Sequence, residues 1–356
     1  MSFGLYSAAR FGSAPFALSV HTGGGPGVGQ TAQEGLEDVI ETAKVAEQLG
    51  YHRFWMSEHH AMPALSIASP PLMMARLTAD TRRFRLGAGG IMLPNHSPLI
   101  VAEQFGMLEA LAPGRIDLGV GRAPGTDGNT AAALRRDASG GESLDEQVAE
   151  LLGFLADEFP DHHPYSRVHA VPGPWQNKEN RVPAQEHQTP VWILGSSPYS
   201  AQFAARLGRP YAFALQFGDA DIETALRIYR ENFVPSKNLD APYVMVSTSA
   251  IANEDPRFAG AEASSSAMAM LRMFKRECFK LLNPQEVAEY SATLQEQAII
   301  QRYVQRTLAG TAGQVARRLE ELYERTHADE LMLVTGSYSL GTAKRTLQLL
   351  AKHYQS

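Results

Sequence analysis

The chain has 356 residues, with 32 Lys and Arg against 38 Asp and Glu, a net charge of −6, 44% hydrophobic and 20% charged residues. That balance excludes a disordered chain and a basic nucleic-acid binder. The one cysteine, Cys278, excludes a disulfide framework and an all-cysteine metal site. The start of the chain lacks the basic-then-apolar pattern of a secretory signal, and no apolar run approaches the ~20 residues of a membrane span. A globular, cytoplasmic protein without membrane contact is expected.

In chain order, short β-type runs alternate with longer helical patterns. Strands are predicted at 16–20 (FALSV), 53–57 (RFWMS), 84–92, 116–120 (IDLGV), 191–194 (VWIL), 211–215, 243–251 and 330–334. Helices are predicted at 35–50, 70–81, 98–111, 144–159, about 200–207, 220–233, 311–327 and 341–354. Segment 123–142 reads as a Gly-, Ala- and Thr-rich loop, and 161–189 as a polar, Pro-rich excursion. Eight strand–helix units predict an α/β fold closed into a (β/α)8 barrel, with a doubly wound open sheet as the alternative. The chain reads as one domain, 1–356. A mixed helical insertion is expected at about 254–309, after strand seven, on the catalytic end.

In such a barrel the strand ends carry the chemistry. Strand two ends in Glu58-His59-His60. A histidine there suits proton transfer near neutral pH, with Glu58 to hold its tautomer; surface histidines at a polar strand end are the plain alternative. Metal binding is not expected, since HExxH is absent. Strand three carries Gly89 and Gly90, which suit either a flat ligand or a barrel corner. Asn95 and His96 read as a turn before the next helix. Strand four ends in Gly121-Arg122, an anion clamp or a rim salt bridge. Strand five ends in Gly195-Ser196-Ser197-Pro198-Tyr199-Ser200, a phosphate-binding helix N-terminus or an ordinary serine cap. Arg122 and this turn together would form one phosphate pocket. Cys278 lies in a helical stretch, FKRECFKLL, and reads as structural.

Three runs, LGYHRFWMSEHH, RLGAGGIMLPNHSPLIVAEQFGMLEALAPGRIDLGVGRAPGT and ILGSSPYSAQFAARLG, resemble the bacterial luciferase-like flavin-dependent monooxygenases. The resemblance runs from about residue 35 to the last helix. It implies a TIM barrel that takes reduced FMN, or a deazaflavin in some branches, from an NAD(P)H:flavin reductase. It implies O2 activation as a C4a-peroxyflavin and oxygenation of a small organic substrate. A homodimer is implied as well. His59 then matches the active-site histidine, beside Glu58 and His60. Gly89-Gly90 matches a non-proline cis peptide under the flavin ring. Arg122, Gly195, Ser196 and Ser197, with Tyr199 and Ser200, match the phosphate site. The 254–309 segment, with its small-residue run AGAEASSSAMA, matches a mobile lid. Gly121 stands where luciferase carries a reactive cysteine, so light emission is not implied. A deazaflavin-dependent hydride transfer and a non-catalytic flavin-binding protein are the alternative functions.

Overall fold

A computed structural model describes residues 8–122, 127–134, 143–182, 189–217, 221–275, 277 and 280–355. Nine parallel strands follow in chain order: β1 (Ala17–Thr22), β2 (Arg53–Met56), β3 (Arg85–Met92), β4 (Ile116–Gly121), β5 (Val191–Gly195), β6 (Tyr211–Ala214), β7 (Val244–Ala252), β8 (Leu308–Gly310) and β9 (Glu330–Val334). Strands β1 to β7 pair in sequence, β7 pairs with β9, and β9 returns to β1. This is a closed eight-stranded (β/α)8 barrel, which rejects the open sheet. The short strand β8 was not predicted; it pairs with the far end of β7, outside the ring.

Side-chain alternation along each strand separates the outer core from the barrel interior. Leu18, Val20, Phe54, Met56, Leu86, Leu118, Val120, Val246 and Leu331 join the helix-facing core. Their neighbours fill the interior in layers. The lowest layer is ionic: Arg53 Nη1 meets Asp117 Oδ2 at 2.8 Å, Arg53 Nε meets Glu330 Oε2 at 3.0 Å, and Arg85 Nε donates to Asp117 Oδ1 at 2.9 Å. Above it Trp55 and Trp192 meet edge to face at 5.1 Å, packed with Met245 and Met332. Trp55 Nε1 donates to Asp117, which ties the two layers together. The top layer opens at the C-terminal strand ends.

Local sequence explains the helices that surround this core. Helix Ala32–Gln48 starts at a capping box in which Thr31 and Glu34 satisfy each other's backbone N–H groups. It puts Val39, Ala43 and Ala46 into the core. Helices Pro70–Asp80 and Pro98–Leu111 both start at proline, whose missing N–H costs nothing in a first turn. The predicted loop 123–142 contains the six-residue helix Gly128–Ala133. Cys278 and most of the rest of that loop lie outside the described residues.

Between β7 and β8 stand helices Pro256–Phe274, Pro284–Ala288 and Leu294–Arg306. The small-residue run lies in the first of these helices, where Ala259, Ala263, Ser265, Ala267 and Ala269 form the buried side. Small residues let that helix approach closely. Its fully buried Glu262 accepts from the backbone N–H groups of Tyr338 (2.8 Å) and Ser339 (3.1 Å), just beyond β9. Leu281 accepts from Val28 N at 2.9 Å and packs with Ala64, Leu65 and Tyr338. The segment therefore rests on the loops that follow β1, β2 and β9.

Candidate active site

The mouth is built on the strand ends. Interior positions of the upper barrel are small along β3 and β4, namely Gly87, Gly89, Gly119 and Gly121. Most of these are demanded by packing. A Cβ on Gly89 would lie 2.7 Å from Trp55 Cε3, and one on Gly90 would lie 2.7 Å from Gly119 O and collide with Leu194. Gly121 differs, because a Cβ there would meet Met92 Cε at an ordinary 3.5 Å. Packing does not require glycine at 121; its missing side chain leaves room at the mouth. The Gly89–Gly90 peptide is cis.

His21 extends the site beyond the sequence reading, which ended strand one at Val20. The strand continues to Thr22, so alternation after Ser19 turns His21 into the interior. Its Nε2 meets Gly89 O at 2.8 Å. Burial lowers its pKa to about 4, opposed by that hydrogen bond and assisted by nearby His59. Its Nδ1 is buried with no hydrogen-bond partner among the described residues.

The EHH run divides between two places. Half-buried His59 lies close enough to His21 to act on its protonation. Glu58, 1% exposed, turns instead toward the β3 loop. Its Oε1 accepts from His60 Nε2 (2.7 Å) and His96 Nε2 (2.9 Å), and its Oε2 accepts from Met92 N (3.0 Å). These contacts hold the carboxyl below its usual range against the opposing effect of burial. His96, read from sequence as a turn residue, is thus a member of the cluster. The Glu58, His60 and His96 ligand atoms lie within 4.8 Å of one another, and the residue types suit a divalent cation. The observed spacings are those of direct N–H to carboxylate hydrogen bonds.

The proposed phosphate residues converge at the ends of β4 and β5. The exposed Arg122 guanidinium lies 5.0 Å from the Tyr199 ring centroid. Tyr199 Oη donates to Asp145 Oδ1 at 2.7 Å, and Asp145 also pairs with Arg206. Ser197 caps helix Pro198–Arg206 in a reciprocal box with Ser200. Ser200 is buried, and its hydroxyl also meets Tyr211 Oη at 2.9 Å. Its side chain therefore serves the turn itself. Gly195 is required beside it, since a Cβ there would collide with Ser200 Oγ. Ser196 is half-buried in the same turn.

A separate cavity of about 420 Å³ lies outside the barrel, lined by Gly106, Phe154, Ala170 and Pro174 among others, and by none of the predicted site residues.

A parallel barrel with histidines and an arginine gathered at its C-terminal mouth defines an α/β-barrel enzyme. The chain belongs to the luciferase-like monooxygenase family, whose model matches residues 15–330. It is 40% identical over 306 residues to a luciferase-like monooxygenase of Escherichia coli (strain K12), covering 86% of this chain and 87% of that one. The crystal structure of apo-MsnO8 superposes with a TM-score of 0.79 at 30% identity, covering 96% of this chain and 98% of the other. The oxygenating constituent of 3,6-diketocamphane monooxygenase from Pseudomonas putida, solved with FMN, shares the fold at a TM-score of 0.70 and 18% identity, covering 96% and 98%. One relative, 24% identical over 222 residues (61% of this chain and 59% of that one), is the oxygenase component of a flavin-dependent trigonelline monooxygenase of Acinetobacter baylyi, and by its family this chain is an enzyme of the luciferase-like monooxygenase type. Among the described residues, no helix is long and apolar enough to cross a membrane.

Proposed function

We propose that this chain is the oxygenase component of a two-component system, which takes reduced FMN from a separate NAD(P)H:flavin reductase and oxygenates a small organic substrate with O2. The observation that carries this reading is the pairing of Arg122 with the Ser197-capped turn, on the same barrel end as His59 and the open position at Gly121. The residues fit a flavin phosphate and ring. Arg122 and the turn's N–H groups offer charge and dipole to the phosphate. The open position at Gly121 leaves room at the mouth for a flat ring system, which the Gly89–Gly90 backbone would flank. When bound, reduced FMN would supply the two electrons that let one atom of O2 enter the substrate while the other leaves as water.

The protein's own contribution is positioning, proton handling and exclusion of water. His59 would give or take a proton beside the ring. Glu58, held by Met92 N, His60 and His96, would fix the β2 and β3 loops that carry His59 and Gly89–Gly90. The 254–309 segment, seated on the loops after β1, β2 and β9, would cover the mouth and keep it dry.

The test begins with anaerobic titration of the protein with reduced FMN, reduced riboflavin and a reduced deazaflavin. Trp55 lies near the site and its fluorescence reports binding. FMN is expected to bind tightest; preference for the deazaflavin would move the assignment to hydride transfer. Oxygen uptake is then screened over small metabolites with NADH and a generic flavin reductase. Substrate-dependent product is expected. Flavin binding without any oxygen-dependent turnover would favour a flavin-binding protein.

A further inference from the structure

Histidine 21 is accounted for by neither the phosphate site nor the Glu58 cluster. A carbonyl oxygen only accepts, so the 2.8 Å contact with Gly89 O requires that Nε2 carry the hydrogen. The ring is then the Nε2–H tautomer, and Nδ1 presents a bare lone pair. Burial keeps the ring neutral near pH 7, with its pKa lowered to about 4. The neighbouring His59 pushes in the same direction. Nδ1 is therefore an acceptor that no group among the described residues satisfies, in a residue 9% exposed. A buried acceptor left alone costs free energy.

Its location gives that acceptor a use. His21 follows Ser19 on the interior face of β1, and Ser19 bonds to Glu330 in the ionic layer. His21 pairs in register with Trp55 of β2 and Val334 of β9. It stands one layer above the tryptophan pair, beside Gly89 and next to the mouth.

We propose that His21 is a specificity-determining residue: its Nδ1 accepts a hydrogen bond from an N–H or O–H of the molecule bound at the barrel mouth. A carboxylate, sulfonate or phosphate at that point would face a lone pair and be repelled. The part of the ligand that reaches the floor of the mouth is thus neutral and donor-bearing, whereas anionic parts belong at Arg122. The donor is either a flavin ring N–H or a group on the organic substrate. This inference rests on the mouth being the ligand site of the proposed function.

The test uses the full-length protein labelled with ¹⁵N in its imidazole rings, with His21 assigned by its loss in His21→Gln. Without ligand, His21 is expected as the Nε2–H tautomer. Reduced FMN is added anaerobically, and phenol and benzoate serve as a matched donor and anion pair, with and without FMN. If the flavin is the donor, reduced FMN moves the Nδ1 signal upfield. His21→Leu then weakens reduced FMN about tenfold, the size of one lost hydrogen bond. If the substrate is the donor, FMN leaves the signal in place, phenol moves it and benzoate does not, and His21→Leu loses the phenol effect on affinity. In either case His21→Gln, which keeps a donor for Gly89 and an acceptor for the ligand, is expected to stay within about twofold of wild type. An Nδ1–H tautomer, a signal unmoved by both FMN and phenol, or benzoate matching phenol would overturn the inference. Failure of the wild type to bind FMN would instead strike the functional reading, and the phenol and benzoate arms on flavin-free protein would still decide the role of His21.

Discussion

The Arg122 guanidinium stacks over the Tyr199 ring at 5.0 Å, joining the end of β4 to the first turn of the helix after β5. Tyr199 is itself anchored through Asp145, so the guanidinium is held at the helix N-terminus by an aromatic face. Arg122→Ala is expected to weaken FMN by about 1.5–3 kcal/mol, the value of a charge-assisted contact. Riboflavin, which lacks the phosphate, is expected to change far less. Calorimetric titration of both ligands checks this, and an equal loss for both would remove the phosphate assignment. Ser200→Ala is expected to act on stability through Tyr211 and the cap, because its hydroxyl is spent inside the turn.

Adjacent histidines with different surroundings lead to the second expectation. His59 lies near His21, and His60 is hydrogen-bonded to Glu58. His59→Ala is expected to leave reduced-FMN affinity within about 1 kcal/mol, because phosphate contacts and ring burial supply most of it. It is expected to lower product formed per FMN oxidised and to raise hydrogen peroxide release. His60→Ala is expected to do less of both. Measuring product and peroxide side by side for the two variants separates them. The reverse ranking would transfer the proton-handling role to His60 and its carboxylate.

Much of this site was legible because strand ends announce themselves. The apolar alternation of IDLGVG and the run VWILG fix where β4 and β5 stop, and so place Arg122 and Ser197 on one rim. His21 was not legible. The β-type run FALSV ends at Val20, and only pairing with β2 and β9 carries the strand two residues further. Nor was the ionic layer. Arg53, Asp117 and Glu330 are separated by 64 and 277 positions, and nothing local to any of them signals the others. His96 looked like turn chemistry for the same reason: its partner Glu58 is 38 residues away. The 254–309 segment reads as helical from sequence, but the composition of AGAEASSSAMA does not reveal that its small residues line the buried side of a helix.

Buried His21 and partly buried His52 set an acid limit on stability. His21 and His52 both have pKa values lowered to about 4, chiefly by burial, against 6.5 for the ordinary group. The unfolded chain takes up these protons first as pH falls. Stability is therefore intact above about pH 6.5 and is lost progressively from there toward pH 4, by up to about 3 kcal/mol for each histidine. Asp117, lowered to about 2 after its ion pairs overcome burial, acts in a lower window. Its contribution is present above 3.8 and is lost as pH falls toward 2. Urea midpoints at pH 7.5 and 4.5 are expected to drop less in His52→Gln than in wild type. Parallel drops in both would show that His52 titrates normally.

The ionic layer makes Arg53 harder to replace than an exposed arginine. Arg53→Leu leaves Glu330 with Ser19 and Tyr243, and Asp117 with Arg85 and Trp55, so both carboxylates keep partners but lose their shared cation. Breaking a buried pair from one side costs about 3–5 kcal/mol. Chemical denaturation is expected to show a loss of that size. A loss under about 1 kcal/mol would mean that Arg85 alone neutralises the layer.

The last expectation concerns assembly. Helix Pro98–Leu111 is apolar on both sides. Val101, Ala102, Phe105 and Leu108 face the core, while Ile100 (52%), Met107 (56%) and Leu111 (60%) are exposed. Single exposed apolar residues need no explanation, but a row of them along one helix face suits an interaction surface. Ile100, Met107 and Leu111 recur at intervals of seven and four, one stripe of a helix. A stripe of this kind, packed against the same stripe of a second copy, forms a two-fold interface. The wild type is expected to run as a homodimer in light scattering coupled to gel filtration. The double variant Met107→Lys, Leu111→Lys is expected to run as a monomer with its circular dichroism spectrum unchanged, because neither side chain contributes to the core. A wild-type monomer, or a dimer that survives both lysines, would place the interface elsewhere. The mouth residues Arg122 and His59 lie on strand-end loops and not on this stripe, so flavin binding by the folded variant is expected to match wild type.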